Sequence, residues 1–193
     1  MNNFVPIELE HKSDFARFLK EDPPQVSELT FTNLFMWRLK YRPTWSVLAD
    51  CLVVVMDPKG GTPFALPPIG LGKKAEALDI VAEHVSRISS EPRVCRVGQD
   101  FIARHVDLER YEVQEDPDNH DYVYLTKELV DLPGNKFHRK KNHLNRFVKN
   151  YEFEYRRMDQ DLVDCVLRMQ ESWCEMKECT VDSDLFEEDR AVY

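Results

Sequence analysis

The run "TWSVLADCLVVVMD", Thr44 to Asp57, commits the middle of this chain to antiparallel β-structure. Two β-rich stretches separated by very little have the pattern of a hairpin. "TPFALPPI" is a third extended piece, confined by its prolines to an edge or a strand end because proline has no N–H for a ladder. Three strands therefore meander here. What precedes and follows them then decides the architecture.

Upstream, "FVPIELEH" (Phe4 to His11) alternates in part and predicts a short strand. A helix is expected from about Ser13 to Lys20, with Phe15, Phe18 and Leu19 on one side, and "EDPPQ" breaks it. A second helix is expected from near Ser27 to about Trp37, carrying Leu29, Phe31, Leu34 and Phe35. Downstream of "GLGKK", the spacing of Ala77, Leu78, Val81, Ala82, Val85 and Ile88 predicts a long helix, Ala75 to Ser89. "PRVCRVG" reads as a strand, "QDFIARHV" as a short helix, and "RYEVQED" and "DYVYLT" as two more strands.

The order over residues 4–126 is β, α, α, β, β, β, α, β, α, β, β. It resembles the GNAT acyltransferase fold, an α+β class with a mixed sheet flanked by helices and opened to hold an acyl carrier. Beyond it, "LVDLPGN" reads as a turn, Asn135 to Asn150 as a basic helix, "YEFEYRR" as an alternating strand, and Asp159 to about Cys179 as a long helix. "SDLFEEDRAVY" begins another helix. This repeats the opening of the first unit, so the expected organisation is a GNAT-like domain at 1–133, a basic linker helix at 134–150, and the truncated start of a second GNAT-like domain at 151–193.

The stretches "FTNLFMW", "FALPPIG" and "DYVYLTKELVDLPGNKFHRKKNHLNRFVKNY" resemble bacterial proteins of unknown function related to the C-terminal domain of phosphatidylglycerol lysyltransferase. The resemblance covers essentially the whole chain and is most specific from Asp121 to Tyr151. It implies tandem GNAT-like domains and a fold shared with aminoacyl-tRNA-dependent transferases. Acyl-CoA or aminoacyl-tRNA is the co-substrate such a fold implies, with an amine or hydroxyl as acceptor. No catalytic residue follows from it. The rival expectation is a noncatalytic, degenerate GNAT-like module that binds RNA, anionic lipid or a protein partner.

Charge narrows the partner. The chain has a net charge of -9, yet Lys136, Arg139, Lys140, Lys141, Arg146 and Lys149 crowd one stretch with His138 and His143 and no carboxylate. With the whole at -9 and that block at +6, the remainder carries -15. On a helix, Phe137, Leu144, Phe147 and Val148 gather toward one side and are expected to dock on the core. The cations spread over the remaining surface. Three readings of that surface stay open: a solvated helix, contact with the phosphates of tRNA or a phosphorylated acceptor, and contact with an anionic membrane surface. The phosphate reading assigns His138, Arg139, Lys141, Arg146 and Lys149.

A second anion site is expected at "PIGLGKKAE", where Gly70 and Gly72 precede a helix and Lys73 and Lys74 add charge. Free N–H groups and the helix dipole favour an anion there, so Gly70, Gly72 and Lys73 are the candidate cofactor-binding residues. The GNAT loop begins with Arg or Gln, whereas this chain has Pro67 in that place. The alternative is an ordinary glycine-rich turn into a helix.

Other candidates weaken on inspection. His138 and His143 are five apart with no carboxylate between them, so no metal is expected. "DPDNHDYVY" lacks the glycine and terminal glutamate of a calcium loop and reads as a turn. The five cysteines show no C-x-x-C pair, so a disulfide framework or zinc site is improbable, and most are expected as packed thiols. Trp37, Trp45 and Trp173 are expected in the core. No run of about 18 apolar residues is present and the N-terminus lacks a signal pattern, so the expected location is the cytoplasm.

Overall fold

The hairpin lies at the centre of a four-stranded antiparallel sheet, β1 (Val5–Pro6), β2 (Thr44–Leu48), β3 (Cys51–Met56) and β4 (Phe64–Ala65), hydrogen-bonded in that order. The computed structural model describes residues 3–179 and 184–192. They divide into two units, one built from residues up to 119 and from 170 onward, the other from 120–169.

In the first unit the register pairs Trp45 with Val54 and Leu48 with Cys51, leaving Ala49 and Asp50 as a two-residue turn. Both have positive φ, 47° and 62°, the conformation that matches strand twist in a tight hairpin and that glycine or asparagine usually supplies. Past β4 the chain returns to β3 through an antiparallel bridge, Leu52 to Ile69, while Ala65 also bridges Val94 in parallel. The Ala65 N–H donates to the Arg93 carbonyl and the Cys95 N–H to the Ala65 carbonyl, both at 2.9 Å.

Helices cover both faces of β3, which explains why every one of its residues is buried. Leu52, Val54 and Met56 face a cluster with Phe15 and Phe18 of α1 (Lys12–Glu21) and Phe31 and Leu34 of α2 (Phe31–Met36). A short α3 (Arg38–Tyr41) follows. On the other face Cys51, Val53 and Val55 meet Ala77, Val81 and Val85 of α4 (Lys74–Ser86). The second helix starts later than Ser27, because the Thr30 hydroxyl caps it by accepting the Asn33 N–H at 3.2 Å.

α5 (Gln99–His105) leads to a turn held on α4, where Asp79 accepts from the Tyr111 hydroxyl and from Arg110 Nη1, each at 2.6 Å. The Tyr111 hydrogen bond, with Arg110 beside it, holds the Asp79 carboxyl below its ordinary range. Burial, with the same carboxylate, pushes the Tyr111 phenol up to about 12.

The second unit contains α6 (Thr126–Asp131), α7 (His138–Asn150) and the start of α8 (Gln160–Lys177). The strands expected at 110–116, 121–126 and 151–157 do not form. Alternating letters are there, but no described strand pairs with them, and a strand is a property of a pair. Leu144, Phe147 and Val148 stay exposed, and Phe137 alone among the described residues of this unit is buried.

The first unit is completed by the end of α8 and by α9 (Asp184–Val192). Although no disulfide framework is expected from the cysteine spacing, Cys174 and Cys179 form a disulfide. Glu178 takes a left-handed conformation, φ 54°, while its N–H donates to the Glu175 carbonyl and that of Cys179 to the Cys174 carbonyl. That helix cap brings the two Cα atoms to 5.2 Å, inside disulfide range, from a spacing no motif flags. Among the described residues, no helix is long and apolar enough to cross a membrane.

Candidate functional site

The glycine-rich loop ahead of α4 lies against the tip of the β2–β3 hairpin, and that contact dictates its residues. A Cβ on Gly72 would stand 2.3 Å from the Ala49 carbonyl oxygen, so only glycine lets the two backbones meet. The Lys73 N–H donates to that same oxygen at 2.9 Å. Gly70 has φ +131°, a conformation that side chains disfavour.

One amide of the loop already has an anion. The Gly70 N–H donates at 2.8 Å to Asp22 Oδ2, and Lys74 Nζ lies 2.7 Å from the same oxygen. Both charged groups are largely covered, with side chains 16% exposed for Lys74 and 28% for Asp22. Lys74 also stands 5.9 Å from the Phe101 ring centroid. Burial, with Lys74 and Arg104 nearby, holds the His105 imidazole below its usual range. Burial raises the Cys51 thiol despite a hydrogen bond from the Gly72 backbone. Lys73 turns outward to Glu76 at 3.1 Å. So Gly70, Gly72 and Lys73 form one loop whose geometry the hairpin and Asp22 account for.

In the second unit the basic helix presents its charge to solvent. Lys136 pairs with Glu128, and Lys140 Nζ stands 5.1 Å from the Tyr124 ring. Arg139, Lys141, Arg146 and Lys149 are exposed and make no ion pair among the described residues. His138 is hydrogen-bonded to Asn142 at 3.1 Å. By helical spacing Arg139, Asn142, Arg146 and Lys149 follow one another along a single stripe of about 15 Å, whereas Lys141 falls off it. Beside that stripe, and sharing Arg146 with it, His143, Leu144, Phe147, Asn150 and Tyr151 line a shallow concavity. Among the described residues, no group of three or more His, Cys, Asp or Glu is placed to hold a metal ion.

The glycine-rich loop and the basic helix are both visible in the sequence, whereas Asp22 is not. It lies 48 residues from Gly70, and nothing local marks it as the partner of that amide.

The family described as "Phosphatidylglycerol lysyltransferase, C-terminal" matches residues 21–191, nearly the whole chain and both of the regions just described. The chain belongs to this family. Its fold is also similar to a solved structure described as a conserved protein of unknown function from Bacteroides thetaiotaomicron VPI-5482, at 28% identity and a TM-score of 0.81. That likeness covers 100% of this chain and 66% of the other, so the chain spans just under two thirds of that relative's length. No curated protein matches it.

Proposed function

We propose that this family member is a GNAT-like acyl or aminoacyl transferase whose α7 contacts the phosphates of its carrier. The antiparallel β1–β4 sheet, its parallel bridge to Val94 and helices on both faces support the GNAT-like reading. One observation carries the carrier contact: Arg139, Arg146 and Lys149 stand exposed and unpaired on one helical stripe of a chain with net charge -9. The stretch has no carboxylate of its own to neutralise them, although the rest of the chain is acidic. Phosphates release counterions when bound, so free Lys and Arg in a row favour them.

The reaction on this reading is attack by an amine or hydroxyl on an activated acyl or aminoacyl ester. Orientation of the two reactants supplies much of the rate, and backbone N–H dipoles stabilise the oxyanion without a dedicated nucleophile. The carrier is aminoacyl-tRNA in the first instance and acyl-CoA in the second. We assign the domains as 1–133, the basic helix 134–150 and the opening of a second GNAT-like domain at 151–193. The acceptor remains any amine or hydroxyl, phosphorylated or not.

A second reading has its own observation. Asp22 takes the Gly70 amide and Lys74 completes the ion pair, so the first loop has an internal anion where a pyrophosphate would sit. This favours a noncatalytic role for the first unit, with chemistry elsewhere or none. The experiment is a tRNA gel shift over a salt series with the wild type and the Arg139→Ala, Arg146→Ala, Lys149→Ala triple variant. The triple variant is expected to bind more weakly and with a shallower salt slope, by about 2 to 3 fewer released counterions. Equal binding by both, or binding only to anionic vesicles, overturns the carrier contact.

A further inference from the structure

The end of α8 is a cap that places two cysteines side by side. The Glu178 N–H donates to the Glu175 carbonyl at 3.2 Å and the Cys179 N–H to the Cys174 carbonyl at 3.1 Å. Two such bonds around a left-handed residue make the Schellman arrangement. In it the residue just past the left-handed one meets a residue of the last helical turn, and that contact is ordinarily apolar. Here both positions are cysteine, Cys179 and Cys174, with Cα atoms 5.2 Å apart. The backbone bonds alone hold the two side chains together, so the thiols of a reduced chain start within reach of each other.

Without the bridge the cap is weak. Its left-handed residue is Glu178, φ 54°, where such caps usually have glycine. A Cβ in that conformation is crowded by the following carbonyl oxygen. The helix end therefore opens more readily as a dithiol than as a disulfide, and oxidation state sets how well the cap persists.

Two further observations separate this pair from a staple of the whole fold. A ring closed over a sequence separation of 5 removes little chain entropy, so it holds the helix end rather than the domain. Both cysteines are half-exposed, and Glu175, Met176, Lys177 and Glu178 between them are exposed, which opens the bridge to a small thiol. Cys51, buried in β3, has no such access.

We propose that Cys174 and Cys179 are a reversible thiol–disulfide site, opened by low-molecular-weight thiols and closed by their disulfides, that loosens and tightens the α8 cap. In the opening direction the thiolate of a small thiol attacks one sulfur of the bridge and forms a mixed disulfide. The other cysteine leaves as a thiolate and takes up a proton. A second small thiolate then attacks the small-molecule sulfur of the mixed disulfide, which departs as the symmetric disulfide, and the remaining cysteine is protonated in turn. Two electrons pass from two small thiols to the protein, and closure runs the same steps backward. The element next in line is α9, whose Asp189 accepts from Gln170 Nε2 of α8 at 3.2 Å.

The test equilibrates the full chain with glutathione and glutathione disulfide over a wide range of ratios, then alkylates free thiols and locates them by mass spectrometry. A single two-electron transition between the dithiol and the intramolecular disulfide is expected. Hydrogen exchange at the Glu178 and Cys179 amides is expected to run about fivefold faster in the reduced chain. Glu178→Gly removes the crowding, so it should make the bridge about fivefold harder to reduce and shrink the difference in exchange. Glu178→Val adds crowding and should make the bridge easier to reduce. Circular dichroism checks that both variants fold. A pair that stays thiol at every ratio, or stays bridged at the most reducing one, overturns the proposal. So does a bridge to a second chain, exchange that ignores oxidation state, or a transition that neither Glu178 variant moves.

Discussion

The two units draw on the same alphabet of β-branched and aromatic residues, yet one buries them and the other displays them. In the first, "CLVVVM" sits between α1 and α2 on one face and α4 on the other, and nothing on β3 is exposed. In the second, Tyr122, Val123 and Tyr155 are 88–91% exposed, and among the described residues only Phe137 is buried. The difference is not one of composition. It comes from partners: strands gain stability by cross-strand and cross-layer contact, and a segment without either keeps its side chains in water.

The largest test of this contrast is a pair of truncations. Phe15 is fully buried, with its ring 5.4 Å from Phe31 and 5.1 Å from Trp45, and Phe15→Ala should cost about 4 kcal/mol in urea unfolding. Phe147→Ala, made at a side chain 45% exposed, should cost about 0.5 kcal/mol or less. Similar costs at both positions would mean that the α7 face is covered in solution.

A smaller effect is expected at the hairpin tip. Gly72→Ala forces a methyl to within 2.3 Å of the Ala49 carbonyl oxygen, and backbone has to move. The loss should be about 2 kcal/mol, read as a lower unfolding midpoint. An unchanged midpoint would show that the loop and hairpin separate freely.

The smallest is a pH effect at the Asp79 clip. Its carboxyl lies below the ordinary range because it accepts from Tyr111 and Arg110 when folded. The stabilisation is therefore complete above the unfolded value, about 3.9, and is lost as pH falls through the folded one. Tyr111→Phe should flatten the acid limb of stability against pH, with urea midpoints between acid and neutral pH as the measurement. An unchanged slope would place the acid sensitivity elsewhere.

Much of the first unit was legible because its signals are local. The hairpin and α4 with its Ala77, Val81 and Val85 stripe follow from spacing within a few residues, as does the basic helix α7 of the second unit. What stayed illegible depends on distant pieces. Alternation in "RYEVQED", "DYVYLT" and "YEFEYRR" shows which residues share a face but not whether another strand lies alongside. The Thr30 cap displaced the start expected at Ser27, since both residue types cap helices and only tertiary context chooses. Cys174 and Cys179 pair through a left-handed residue at Glu178, which a glutamate does not advertise.

The candidate sites divide in the same manner. The exposure of Arg139, Arg146 and Lys149 follows from a helix without nearby carboxylates, and the letters show that. The environment of Gly70 depends on Asp22 at the far end of α1, across 48 residues, and they do not.

Asp22 therefore acts on its loop as a tethered competitor. A carboxylate fixed to the same chain is present at an effective concentration of order millimolar or more and never dilutes away. A phosphate arriving from solution has to displace it and take over Lys74 at the same time. An anion without further points of attachment would compete with Asp22 at a disadvantage.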